Sequence, residues 1–198
     1  MLGEVVPDLG VGPDAATEAW PRSTATTEGL ALVTPPAEMI ERARLAALRS
    51  PCAKSRRGVV VYDPGAVRLL GRGWNGQPEP FGCSGDDACR AACGKLCVHA
   101  ESRALATARL STHADKHDLH NTHLLHVKVV DELVVAGGPP SCWQCSREIL
   151  DADLGGVWLF EERTGARSWR FYTAVEFHEA TLLHAGLPVR IVEPKDEW

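Results

Sequence analysis

Hydrophobic positions follow two rhythms along this chain. In "AEMIERARLAALRS" (37–50), Met39, Ile40, Ala43, Leu45, Ala46 and Leu48 form one broad apolar face, the spacing of an amphipathic helix, and Pro35-Pro36 mark its start. The rhythm then shortens. "GVVVYD" (58–63) and "AVRLLGRGW" (66–74) are β-type runs joined by Pro64-Gly65, which predicts a hairpin. "HLLHVKVV" (123–130), "GGVWLFEE" (155–162) and "LPVRIVE" (187–193) predict three further strands. Helices are predicted over about 98–110, over "CWQCSREILDA" (142–152) and over "TAVEFHEATLLHAG" (173–186), the last ended by Gly186. Residues 75–96 read as a loop rich in Gly and Cys, and 111–122 as a polar, His-rich loop.

A helix, a β-hairpin and then alternating helices and strands give an α/β chain. The order predicts a three-layer α/β/α sandwich around one mixed, five-stranded sheet. Residues 1–36 hold scattered Pro, Gly, Thr and Asp without a steady period, so they are expected to form an extended or partly disordered arm before a single domain at 37–198.

Composition narrows the classes. Of 198 residues, 44% are hydrophobic and 24% charged, enough for a real core. The net charge of −5 argues against a dedicated duplex-binding surface. No apolar run approaches the roughly 18 residues of a membrane span, and no basic-then-apolar leader opens the chain. A cytoplasmic home is expected, where seven cysteines serve metal or chemistry rather than disulfides.

The chemistry starts at "CVHAESRAL" (97–105), where His99 and Glu101 stand two apart at the mouth of a predicted helix. Downstream, "PPSCWQCSREIL" (139–150) opens another helix with Cys142 and Cys145, where helix N-terminal amides favour thiolates. One imidazole and two thiolates make a three-ligand zinc site with its fourth position open to water, a catalytic pattern. Glu101 is not needed as a ligand and is placed to move protons. Together the two segments give the H-x-E…C-x-x-C signature of zinc deaminases.

At these residues the chain resembles the zinc-dependent cytidine deaminase superfamily, and within it the deoxycytidylate (dCMP) deaminases, from about 38 to 193. "SPCAKSRRGVVVYD" and "GRGWNGQP" are similar to the family's strand lead-in and its Gly-Tyr-Asn-Gly-x-Pro turn, with Trp74 replacing Tyr. "TLLHAGLPVRIVEPK" is similar to the last helix and strand. The resemblance implies hydrolytic deamination of a cytosine nucleotide, dCMP to dUMP. It implies that Asn75 contacts the sugar, that Ala100, Ser141 and Trp143 border the substrate, and that Arg56 and Arg57 meet a 5′-phosphate. It also implies a second, structural zinc on Cys52, Cys83, Cys89 and either Cys93 or Cys97, and assembly into homo-oligomers.

Two departures concern the substrate. Pro140 precedes Ser141 rather than standing directly before Cys142, and Trp143 inside the CxxC is reminiscent of the polynucleotide-editing branch. A deaminase of single-stranded nucleic acid, or of another base or nucleoside, is therefore a competing expectation, opposed by the acidic charge. A non-catalytic zinc module is a third, opposed by the intact Glu101. His113, His117, His120, His123 and His126 are read as loop and strand residues rather than as a metal site.

Overall fold

The computed structural model describes residues 34–111 and 119–189. The arm expected at 1–36 lies almost wholly outside the described residues, as do His113, His117 and positions 190–193 of the expected last strand.

Helix α1 (Ala37–Leu48) leads into the hairpin β1 (Arg56–Asp63) and β2 (Arg68–Trp74). Asp63 Oδ1 accepts the backbone amides of Gly65 and Ala66 and so closes the turn. Helices α2 (Asp87–Leu96) and α3 (Ala100–Ser111) follow, then β3 (His123–Val130), the short β4 (Leu133–Val135), α4 (Trp143–Asp151), β5 (Gly156–Arg163), β6 (Ala166–Thr173) and α5 (Ala174–His184). The sheet order is β2-β1-β3-β5-β6, with β4 on β3. β3 and β5 run parallel, and the other pairs are antiparallel.

Alternation along the strands builds the layers. Val60, Tyr62, Leu125, Val127 and Trp158 face α1 through Met39, Ala43 and Ala47. Val59, Val61, Leu124, Val157 and Leu159 face the opposite side, where α3, α4 and α5 supply Ala104, Leu105, Ile149 and Phe177. Each fully buried Val or Leu contributes about 1.5–3 kcal/mol. The result is the three-layer sandwich, with a mixed sheet of five strands in order and a sixth off that path.

One local expectation is corrected, one strand is added, and one expected strand is described only at its start. Residues 75–96 contain α2, capped by Asp86, whose side chain accepts from Cys89 N at 2.7 Å. The edge of the sheet beyond β5 is held by β6, which returns through Thr164-Gly165 and pairs antiparallel. The strand expected at 187–193 has no regular structure at 187–189. The helix after β6 starts at a full capping box, in which Thr173 Oγ1 accepts from Glu176 N and Glu176 Oε2 accepts from Thr173 N.

The register of α3 matters most for the site. It lies directly on the backbone of β2, through Ala100, Ala104 and Ala108. A Cβ on Gly71 would stand 2.4 Å from Ala104 O, and one on Gly73 2.2 Å from Ala100 O.

Candidate active site

The Asn-Gly turn after β2 fixes the approach to α3. Gly76 and Val98 exchange backbone hydrogen bonds, Gly76 N to Val98 O at 3.1 Å and Val98 N to Gly76 O at 2.9 Å. Gly76 sits at φ +150, and a Cβ there would meet Pro51 Cδ at 2.8 Å, so only glycine fits. His99 follows at once, and its carbonyl accepts from Arg103 N. Glu101 then falls in the first turn of α3, buried.

Cys142 is the N-cap of α4, and its sulfur accepts from Cys145 N at 3.5 Å. The two helix starts meet. His99 Nδ1 lies 3.1 Å from Cys145 Sγ and 3.2 Å from Cys142 Sγ. All three ligand atoms fall within 4.8 Å of one another, forming the one such His/Cys/Asp/Glu group among the described residues. One ring nitrogen and two sulfurs converging at helix starts are the donor set that suits zinc.

The electrostatics agree. The hydrogen bond from Cys145, with a further one from His99, holds the Cys142 thiol down to about 4. The same Cys142–Cys145 bond and burial push Cys145 up. The hydrogen bond with Cys142 raises His99. Burial pushes the Glu101 carboxyl up, but His126, its own amide, His99 and Arg57 outweigh that and leave it below the ordinary carboxylate value.

A cavity of about 230 Å³ opens beside this cluster, lined among others by His99, Glu101, Cys142, Ala100, Ser141 and Asn75. Asn75 is heavily engaged. Its Oδ1 accepts from Ser50 Oγ and Arg57 N, both at 2.8 Å, and its Nδ2 donates to Ser55 O at 2.8 Å. Arg57 also lines the cavity, half-buried, with Nη1 donating to Gly137 O and Nε to Ser55 Oγ. Burial lowers its pKa from the usual guanidinium value. Arg56, one residue earlier on β1, is exposed on the other face and lines a separate depression with Lys128 and Glu132. Trp143 is exposed outside the cavity lining, its ring 5.7 Å from the Arg147 guanidinium.

All seven cysteines are unbridged. Cys83 and Cys89 sulfurs lie 3.3 Å apart, and Cys93 and Cys97 sulfurs 3.5 Å apart. Cys52 is buried beside them and lines the cavity with Cys93. Four of these five form two pairs, with Cys52 outside them, and no three of them make a group close enough to share an ion. Sequence reasoning missed Lys54, Ser55 and above all His126 as cavity residues. The signal for His126 lay in strand alternation, which puts it on the same face as Leu124 and hence toward α3.

No protein-family profile matches this sequence, and no curated protein does. Solved structures do. The chain is similar to the dCMP deaminase from the cyanophage S-TIM5 in complex with dCMP and dUMP, at 20% identity over 71% of this chain and 86% of that one, TM-score 0.47. The apo form of that enzyme aligns at 22% identity over 65% and 83%, TM-score 0.44. The cytidine deaminase from Burkholderia pseudomallei aligns at 18% over 71% and 93%, TM-score 0.46. The chain is thus a mixed α/β sheet with helices on both faces, and it carries a His-Cys-Cys cluster of the zinc-binding type where two helix starts meet.

Proposed function

We propose that this chain is a zinc-dependent hydrolytic deaminase of a cytosine nucleotide, of the dCMP-to-dUMP type. The observation that carries the reading is the convergence of His99, Cys142 and Cys145 on one point beside the buried Glu101, at the wall of a cavity.

Zinc held by His99, Cys142 and Cys145 would supply an activated water and a Lewis acid at the amino-bearing carbon. Glu101, ionised and largely walled off from solvent, accepts a proton from the attacking water. It delivers that proton to ring nitrogen N3, and then carries the remaining hydroxyl proton of the added water to the amine as the C4–N bond breaks and the C4 carbonyl forms, giving uracil and ammonia. Asn75 keeps one amide hydrogen for a sugar oxygen. Ala100 and Ser141 border the base. Of the two arginines assigned to a 5′-phosphate, Arg57 is the better placed, with Lys54 beside it at the cavity.

The same reading assigns a second, structural zinc to Cys52, Cys83, Cys89 and either Cys93 or Cys97, supported by the two close sulfur pairs. It takes residues 37–198 as the catalytic domain of a cytoplasmic enzyme of nucleotide metabolism. It also takes the chain to self-associate, supported by exposed Val175 and Leu183 on α5 and Leu187 just beyond it. A second reading, action on single-stranded nucleic acid, is favoured by the exposed Trp143 beside Arg147, a surface on which a base could stack.

Ammonia release from dCMP, deoxycytidine, dCTP and a short cytosine-containing single strand, with zinc-loaded protein and Glu101→Ala as blank, tests these readings. Turnover of dCMP alone is expected. Turnover of the oligonucleotide alone would favour the second reading, and full activity of Glu101→Ala would sink the assignment of the proton shuttle.

A further inference from the structure

His126 stands on the central strand of the sheet, paired with Val59 of β1 and Leu159 of β5, so backbone hydrogen bonds on both sides fix its place. Its side chain points to the face covered by α3 and lines the cavity. The ring nitrogen Nδ1 lies 3.5 Å from Glu101 Oε1. The other, Nε2, is closed off from solvent and has no partner.

Glu101 needs something to hold it. Apart from its own backbone amide, no hydrogen bond fixes its carboxylate among the described residues. A free carboxylate with its rotamers open loses entropy each time it must face the reacting atoms. The imidazole facing Oε1 offers a fixed donor. With Nδ1 directed at a carboxylate, the ring proton belongs on Nδ1 and Nε2 carries the lone pair. A distance of 3.5 Å is longer than a formed hydrogen bond, and such contacts tighten in the substrate complex.

We propose that His126 is a positioning residue: through Nδ1 it holds the Glu101 carboxylate toward the His99–Cys142–Cys145 side of the cavity. The inference rests on the deaminase reading for its catalytic consequence, but the contact itself does not.

The test uses the full-length, zinc-loaded protein. His126→Leu removes the donor at similar volume, and His126→Asn keeps an N–H near the position of Nδ1. His126→Leu is expected to lower kcat roughly 10- to 100-fold, as loss of a supporting partner does, with KM and zinc content little changed. His126→Asn should recover most of that loss. In a Glu101→Gln background His126→Leu should cost nothing further. Equal losses in both backgrounds, or Asn no better than Leu while both stay folded and zinc-loaded, would overturn the proposal. A wild type silent on every amino-bearing base would instead overturn the deaminase reading. The contact is then decided by thermal melting of wild type, His126→Leu, Glu101→Gln and the double variant: non-additive shifts in Tm support it, and additive shifts overturn it.

Discussion

The hydroxyl of Ser102 donates to Glu148 Oε2 at 2.6 Å, and so ties α3, which follows His99, to α4, which carries Cys145. A short bond to a charged acceptor between two helices is worth more than a surface contact, about 1.5–3 kcal/mol. Ser102→Ala should therefore lower stability by about 1.5–3 kcal/mol and weaken zinc retention, because the two halves of the cluster lose a cross-link. Urea unfolding and zinc competition with a chelating dye measure the two effects. Unchanged zinc affinity would mean that the helices are set by their apolar contacts alone.

A Cβ on Gly73 would stand 2.2 Å from Ala100 O and 2.5 Å from Ala104 N, both backbone atoms of α3. They move only if the helix moves, so Gly73→Ala should cost about 3 kcal/mol or more and reduce activity beyond the loss of folded protein. Gly94, inside α2, is the control, since nothing lies within 4 Å of its added Cβ. Gly94→Ala should gain about 0.4–1 kcal/mol. Thermal melts and specific activity of the soluble fraction separate the two outcomes.

Removal of a ligand should separate the two metal assignments. Cys142→Ser is expected to lose the zinc at His99, and elemental analysis should fall by one equivalent. If the other five cysteines hold a second ion, one equivalent should remain in that variant, and Cys83→Ser should remove it while sparing the first. A strong chelator should lower the Tm of wild type in either case, since a metal bound only by the folded state adds to stability by mass action.

Burial raises Tyr62, on the α1 side of the sheet, to about 12. The unfolded chain releases that proton near the ordinary phenol value of about 10. The folded state favours the neutral form, so this contribution is complete below about pH 10 and is lost as pH rises toward 12. Wild type should lose stability through that window, and Tyr62→Phe should lose less. Denaturant midpoints at stepped alkaline pH give the comparison, and parallel curves would rule Tyr62 out as the source.

Where apolar period was strong, the fold could be read in the sequence. Helices α1, α3, α4 and α5 and strands β1, β2, β3 and β5 follow patterns that one buried face imposes. The elements missed are those with little to bury. In α2 the described side chains are mostly exposed, with Cys89 the buried one, and its Cys and Gly content reads as loop. Yet Asp86 three residues before Cys89 was a cap signal in plain view. Strand β6 is an edge, and Arg167 and Arg170 break up its apolar positions. The convergence of His99, Cys142 and Cys145 was legible because ligand spacing there is dictated by helix starts. His126 was not, because it comes from a different element and reaches Glu101 only through the register of β3 against α3.

The cavity draws the residues that line it from Cys52 through Cys142, and α4 closes the account with Cys145. The β5–β6 hairpin and α5 buttress that half without supplying a lining side chain. The tip of the hairpin at Thr164-Gly165 is exposed, and a Cβ on Gly165 would meet nothing within 4 Å. Chemistry and scaffolding are thus divided along the chain. Tags, reporter dyes or inserted peptides placed at that tip should ride on the protein while the reacting groups stay as they are.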